Sequence, residues 1–116
     1  MRDLAKLLKA LGDETRLQIL ALLVKEGELC VCDFEEVLGI SQSKSSRHLR
    51  YLLNAGVLQD RREAVWVHYR IAKTLQPEMK AIVKAVSGAL TLDKLGDLDK
   101  RFARWQAKKK KECLNI

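Results

Sequence analysis

Gly39-Ile40-Ser41-Gln42-Ser43-Lys44-Ser45-Ser46-Arg47-His48-Leu49-Arg50 is the stretch on which the fold turns. Glycine permits a tight exit from a preceding helix, Ile40 can anchor the corner in a core, and Ser41 can cap the helix that follows. Two short helices joined in this way read as a helix-turn-helix. The second is expected to run to about Ala55, with Asn54-Ala55-Gly56 as the stop. Its Leu49, Leu52 and Leu53 can face inward. That leaves Gln42, Ser43, Lys44, Ser46, Arg47 and Arg50 outward, side chains of the kinds that meet phosphates and base edges. His48 shares this helix; contact with DNA is the preferred reading, a backbone-bonded histidine half-facing the core the other.

Upstream, Asp33 followed by Glu36 resembles a capping box, so a short helix is expected from about Asp33 to Leu38. Leu4, Leu7, Leu8 and Leu11 share one face of a first helix that ends at Gly12. Asp13 then caps a helix over Glu14–Lys25 whose apolar residues cover more than one face, which places it at the centre of the core. Downstream, residues 57–61 and 65–71 are β-rich around the polar link Arg61-Arg62-Glu63-Ala64, as in a hairpin. The expected fold is mainly α (α+β), a winged helix-turn-helix with a two-stranded wing tipped by Arg61 and Arg62, both placed to touch phosphates. A solvated turn is the alternative for the two arginines.

Pro77 suits a first helical turn, and Met79, Ile82, Val83, Val86 and Leu90 continue at helical spacing. Leu95, Leu98, Phe102 and Trp105 then step by threes and fours like a short coiled-coil seam. We expect the terminal helices to dimerise the chain; completion of the monomer's own core is the competing reading. Residues 1–92 would form the DNA-binding and dimerisation domain, and 93–116 a helical extension with a basic tail.

A chain of 116 residues holds one modest core, and 47% hydrophobic against 32% charged residues is a globular balance. The net charge of +7 points to a polyanion partner. Its distribution is more informative. Residues 101–116 carry six Lys/Arg against Glu112, and residues 41–70 carry six against Asp60 and Glu63. The basic excess outside the tail therefore falls on the helix and hairpin already singled out. Lys108 to Lys111 would add sequence-independent, salt-sensitive attraction, or merely solubility. No apolar run reaches the roughly 18 residues of a membrane span, and Met1 to Lys6 lacks a secretory hydrophobic region, so a cytoplasmic location is expected.

Three cysteines form an odd set, which argues against a secreted disulfide framework and for metal binding or reactive thiols, reduced in the resting cell. Two of them, Cys30 and Cys32, precede the first helix of the reading pair. If that helix starts at Asp33, the pair lies in an extended lead-in where alternate side chains share a face and can grip one ion. If it reaches back through Leu29, a two-residue step turns about 200° and the sulfurs diverge. On this reasoning chelation requires an unwound helix start, and a ligand selecting that state would displace Arg47 and Arg50.

Glu28-Leu29-Cys30-Val31-Cys32-Asp33, followed by Ile40 to Arg50, resembles the ArsR family of metalloregulatory repressors, particularly its arsenical-responsive branch, over roughly Leu4 to Leu90. The resemblance implies a homodimeric winged-helix repressor that leaves its operator when arsenite or antimonite binds cysteine thiolates. No permanent cofactor is implied; As(III) or Sb(III) would be the inducer. Thiolates suit such thiophilic centres, whereas magnesium or calcium want oxygen ligands. Many relatives place a third cysteine where this chain has Glu35. Cys113 could complete a three-sulfur site from its own or the other subunit, or be a free terminal thiol. Zinc is disfavoured, because His48 and His68 stand far from the pair in sequence and four ligands are wanted.

Two other classes remain. A regulator of the same fold could sense oxidation or a soft metal such as zinc or cadmium, with Cys30 pairing to Cys32 or Cys113 in the oxidative case. A thiol oxidoreductase or metal carrier fares worse: it leaves the basic helix unexplained, and the chain has neither a Cys-x-x-Cys nor a Gly-rich phosphate loop. His68, beside Trp66 and Tyr69, is read as a packing residue.

Overall fold

The structure is a computed structural model that describes residues 2–91 and 95–114, with side-chain surroundings described for 2–89 and 97–109. Among the described residues, six helices and one three-stranded antiparallel sheet form, with α2 at the centre. Helix α1 (Arg2–Leu11) leads into α2 (Glu14–Glu26), which carries the consecutive buried residues Ile19, Leu20, Ala21, Leu22 and Leu23. Over these five residues the helix is buried on all sides, as its apolar run implies, while Val24 at the end of that run is exposed. Asp13 caps it, accepting a hydrogen bond from the Arg16 N–H at 3.1 Å. The Arg16 side chain donates to the Ala10 carbonyl at 2.8 Å and lies 4.1 Å from the centre of the Tyr51 ring, tying α1 and α2 to α4.

Asp13→Ala should therefore cost about 1 kcal/mol, the usual value of an N-cap, and lower the melting temperature by about 4 °C. Calorimetry of the two proteins checks this; an unchanged melting temperature would mean that water replaces the cap at no cost.

The reading pair consists of α3 (Val31–Leu38) and α4 (Gln42–Asn54). Gly39 closes α3 with φ 66°, in the left-handed region that glycine tolerates, and its N–H donates to Glu35 O. Ser41 caps α4 through the Lys44 N–H. Phe34, Val37, Leu49 and Leu52 are fully buried where the pair meets α2. Ile40, expected to anchor the corner, is only partly buried, and Val37 is the fully buried residue there.

Three features differ from the sequence reading. First, α3 begins two residues early: Cys30 is its N-cap, and Asp33 is the third helical residue rather than the cap. Second, the sheet has three strands. Glu28–Cys30 forms β1, which pairs with β3 (Trp66–Ile71), and β3 pairs in turn with β2 (Leu58–Glu63). The hairpin turns at Ala64 and Val65, so Arg61 and Arg62 lie along β2 instead of at the tip. Third, the C-terminal seam is not left for a partner. Helix α5 (Pro77–Thr91) packs on α2, and α6 (Leu95–Leu114) folds back across α3, burying Leu98 and Phe102 in the chain's own core. The Leu4–Leu11 face is divided: Leu7 and Leu11 are buried, while Leu4 and Leu8 stay 37% and 53% exposed.

Candidate functional site

The N-terminal turn of α3 is where the chemistry gathers. Cys30 leaves β1 with extended backbone angles (φ −96°, ψ 169°), and Cys32 is the second residue of the helix. The 200° divergence applies only when both residues are helical; with Cys30 still extended, its sulfur turns towards Cys32. The two sulfurs are brought together as a pair, with their Cα atoms 5.5 Å apart. Proximity of the sulfurs thus coexists with an intact helix start, and the supposed need to unwind α3 is withdrawn.

Asp33 organises the surroundings. Its carboxylate, 3% exposed, accepts from the Cys30 N–H at Oδ2 (2.8 Å), and at Oδ1 from Trp105 Nε1 (2.7 Å) and Lys109 Nζ (2.9 Å). Reaching back to the cap residue's N–H is the work of the third helical residue in a capping box. Lys109 Nζ also lies 3.6 Å from Cys30 Sγ. Helix α6 braces the other end of α3, where the Arg101 side chain donates to the Val37 carbonyl at 3.5 Å. Among the described residues, Cys30, Cys32 and Asp33 are the one group of three or more potential metal ligands whose donor atoms lie within 4.8 Å of one another. Glu35, at the position of the missing third cysteine, is not among them. The side chain of Cys113 lies outside the described residues.

His68 faces Cys30 across the β1–β3 ladder, although 38 positions separate them in sequence. Its ring does not join the ligand cluster. Beside it, Glu28, Leu29, Asp33, Phe102, Gln106 and Lys109 help line an open cleft of about 820 Å³ between the sheet and α6. Lys109, Trp105 and the His68 register were missed in the sequence, because each reaches the cysteines through tertiary packing alone.

The reading surface divides in two. Gln42, Ser43, Lys44, Ser46, Arg47 and Arg50 are exposed along α4. His48 is not: its side chain is 17% exposed, and Nδ1 lies 4.0 Å from Asp13 Oδ1. Burial pushes the imidazole below its usual range, an effect that Asp13 opposes. On the wing, Arg62 is exposed, whereas Arg61 is held by Glu28 (2.6 Å) and Glu63 (2.7 Å). Hydrogen bonds from Arg61 keep the Glu28 carboxyl below the ordinary carboxylate range. A phosphate would have to displace those two acids to reach Arg61.

Residues 13–60 match the bacterial regulatory protein arsR family. A solved structure, HlyU from Vibrio cholerae N16961, is 38% identical and superposes with a TM-score of 0.65 over 73% of this chain and 88% of that one. The chain belongs to the ArsR family. Its members are winged-helix transcriptional regulators rather than enzymes, which removes the oxidoreductase reading. Among curated ArsR-type relatives, the arsenical resistance operon repressor of Escherichia coli (strain K12) is 54% identical over 67 residues, 58% of this chain and 57% of the relative. A homologue of the cadmium resistance regulatory protein CadC from Staphylococcus aureus is 45% identical over 69 residues, 60% of this chain and 57% of the relative. The chain spans about three-fifths of the length of the curated relatives it matches. No helix among the described residues is long and apolar enough to cross a membrane.

Proposed function

We propose that this protein is an operator-binding repressor that releases DNA when trivalent arsenic or antimony bridges Cys30 and Cys32. The observation that carries the reading is the adjacency of the two sulfurs at the start of α3, the helix packed against α4. Gln42, Ser43, Lys44, Ser46, Arg47 and Arg50 are the base- and phosphate-contacting set, with Arg62 on the wing. His48 is half-buried beside Asp13, and Arg61, although exposed, is engaged by Glu28 and Glu63. A second copy of the chain would cover Leu4 and Leu8 and give the twofold symmetry of an inverted-repeat operator.

In the reduced protein, a trivalent centre bonded to both sulfurs fixes their spacing and direction. The start of α3 is held by β1 on one side and by α6, through Asp33, on the other. A change in the geometry of the pair therefore tilts α3, and α4 with it. The ligand acts only through the difference in its affinity for the two arrangements. Cys113 is proposed as an auxiliary third sulfur, brought in by the tail.

The test is thiol protection. In the reduced protein one equivalent of arsenite should shield Cys30 and Cys32 from alkylation, read by mass spectrometry of the peptide that contains them. Alkylation of both at the ligand-free rate would refute the assignment. The same adjacency of the two sulfurs allows a second reading, oxidation sensing, in which peroxide rather than arsenite releases DNA.

A further inference from the structure

A site built on two thiolates does not by itself distinguish a neutral metalloid hydroxide from a divalent soft cation, since both are thiophilic. The relatives raise the same question, one being named for arsenical resistance and another for cadmium resistance. The cysteine pair has a cation beside it. Lys109 Nζ lies 3.6 Å from Cys30 Sγ and 2.9 Å from Asp33 Oδ1, and the lysine side chain is only 37% exposed.

We infer that Lys109 is a specificity-determining residue that bars divalent cations from the Cys30–Cys32 site while admitting neutral trivalent hydroxides, an inference that rests on the metalloid reading above. The argument is one of ligand number. Arsenous acid, As(OH)₃, reacts with two thiols to form two As–S bonds. Two As–O bonds break, and the thiol protons leave in two molecules of water. The product is neutral and keeps its own third ligand, a hydroxyl oxygen that can accept from an ammonium group. A divalent ion that expels the two thiol protons also leaves a neutral bis(thiolate), but its coordination is incomplete and it must draw further donors from its surroundings.

The donor set points the same way. A soft dication bound by two thiolates needs further ligands, and Asp33 is the one other donor in the cluster. Its oxygens are already engaged by the Cys30 N–H, Trp105 and Lys109. Glu28, two residues upstream of Cys30, is bound to Arg61. A cation could recruit Asp33 only by evicting Lys109. Lys109 lies on α6, outside residues 13–60, the stretch that matches the family.

The experiment compares the reduced, full-length parent with Lys109→Met and Lys109→Arg. Cadmium binding is followed by thiolate-to-cadmium charge-transfer absorbance, and arsenite binding by thiol protection. Lys109→Met should bind cadmium at least about tenfold more tightly than the parent, with arsenite affinity within about threefold. Lys109→Arg, which keeps the charge, should behave as the parent. Unchanged cadmium affinity in Lys109→Met would overturn the inference, as would a parallel gain for cadmium and arsenite, which would show only a loosened α6. Failure of the parent to bind arsenite at all counts against the metalloid reading and is seen separately from the cadmium comparison.

Discussion

Cys30→Ser and Cys32→Ser, each reduced and ligand-free, should bind operator DNA within about threefold of the parent yet lose the arsenite response, apparent metalloid affinity falling by about 100-fold or more. The size of the loss follows from chelation. Once one As–S bond has formed, the second thiol attacks from an effective concentration far above that of any thiol in solution, an advantage on the order of 10² to 10⁴. The preserved DNA affinity follows from position. Cys30 is the N-cap of α3, a place where serine is among the preferred residues, and Cys32 is only partly buried in the first turn. The Asp33 contact to the residue 30 N–H does not involve the sulfur and survives either change. Anisotropy of labelled operator DNA with and without arsenite measures both quantities. Loss of DNA binding in either variant would mean that the cysteines are structural.

Arg47→Ala should weaken operator binding by about 10- to 100-fold in the reduced, ligand-free protein, the usual range for a side chain that reads a base edge. Arg47 is exposed in the second turn of α4, on the opposite side from the buried Ser45 and Leu49. Its removal should leave the melting temperature unchanged, because it contributes nothing to the core. The salt dependence separates two roles. A loss confined to the cognate sequence marks base readout, whereas an equal loss on all DNA with a shallower salt slope marks a phosphate contact. Unchanged affinity on every sequence would remove Arg47 from the interface.

The parts of this architecture that are local in sequence were legible. The unbroken apolar run of α2, its Asp13 cap, the Gly39-Ile40-Ser41 junction and the Ser41 cap all lie within a few residues of the interactions they make. What escaped was set by packing across the chain. Asp33 looked like a cap because aspartate often is one; which turn it serves depends on β1, and β1 exists only through pairing with β3. The seam of Leu98, Phe102 and Trp105 was recognisable as a buried stripe. Periodicity does not say whether the covering surface belongs to the same chain, and here Leu98 and Phe102 join its own core while Trp105 bonds to Asp33. For the same reason the cysteine pair was found and its lysine was not. Cys30 and Cys32 are two residues apart, whereas Lys109 reaches Cys30 from 79 residues away. The wing shows the converse case. Arg61 and Arg62 were placed correctly on the hairpin, but pairing Arg61 with Glu28 required a strand that propensity alone does not reveal.

Helix α6 gives the cysteine site a second wall. Through Asp33 it grips the start of α3, through Val37 the end, and Lys25 of α2 pairs with Asp99 to fix its first turns. A ligand that bonds both sulfurs and resets their geometry works against this brace, so the movement passes into α4 instead of dissipating in a frayed helix end. The direct measurement is therefore fluorescence anisotropy of labelled operator DNA bound by the reduced protein, titrated in parallel with arsenite, zinc and peroxide. Release by arsenite at concentrations where zinc and peroxide leave the complex intact is the predicted result; tight binding indifferent to arsenite, or release by peroxide alone, would contradict the account.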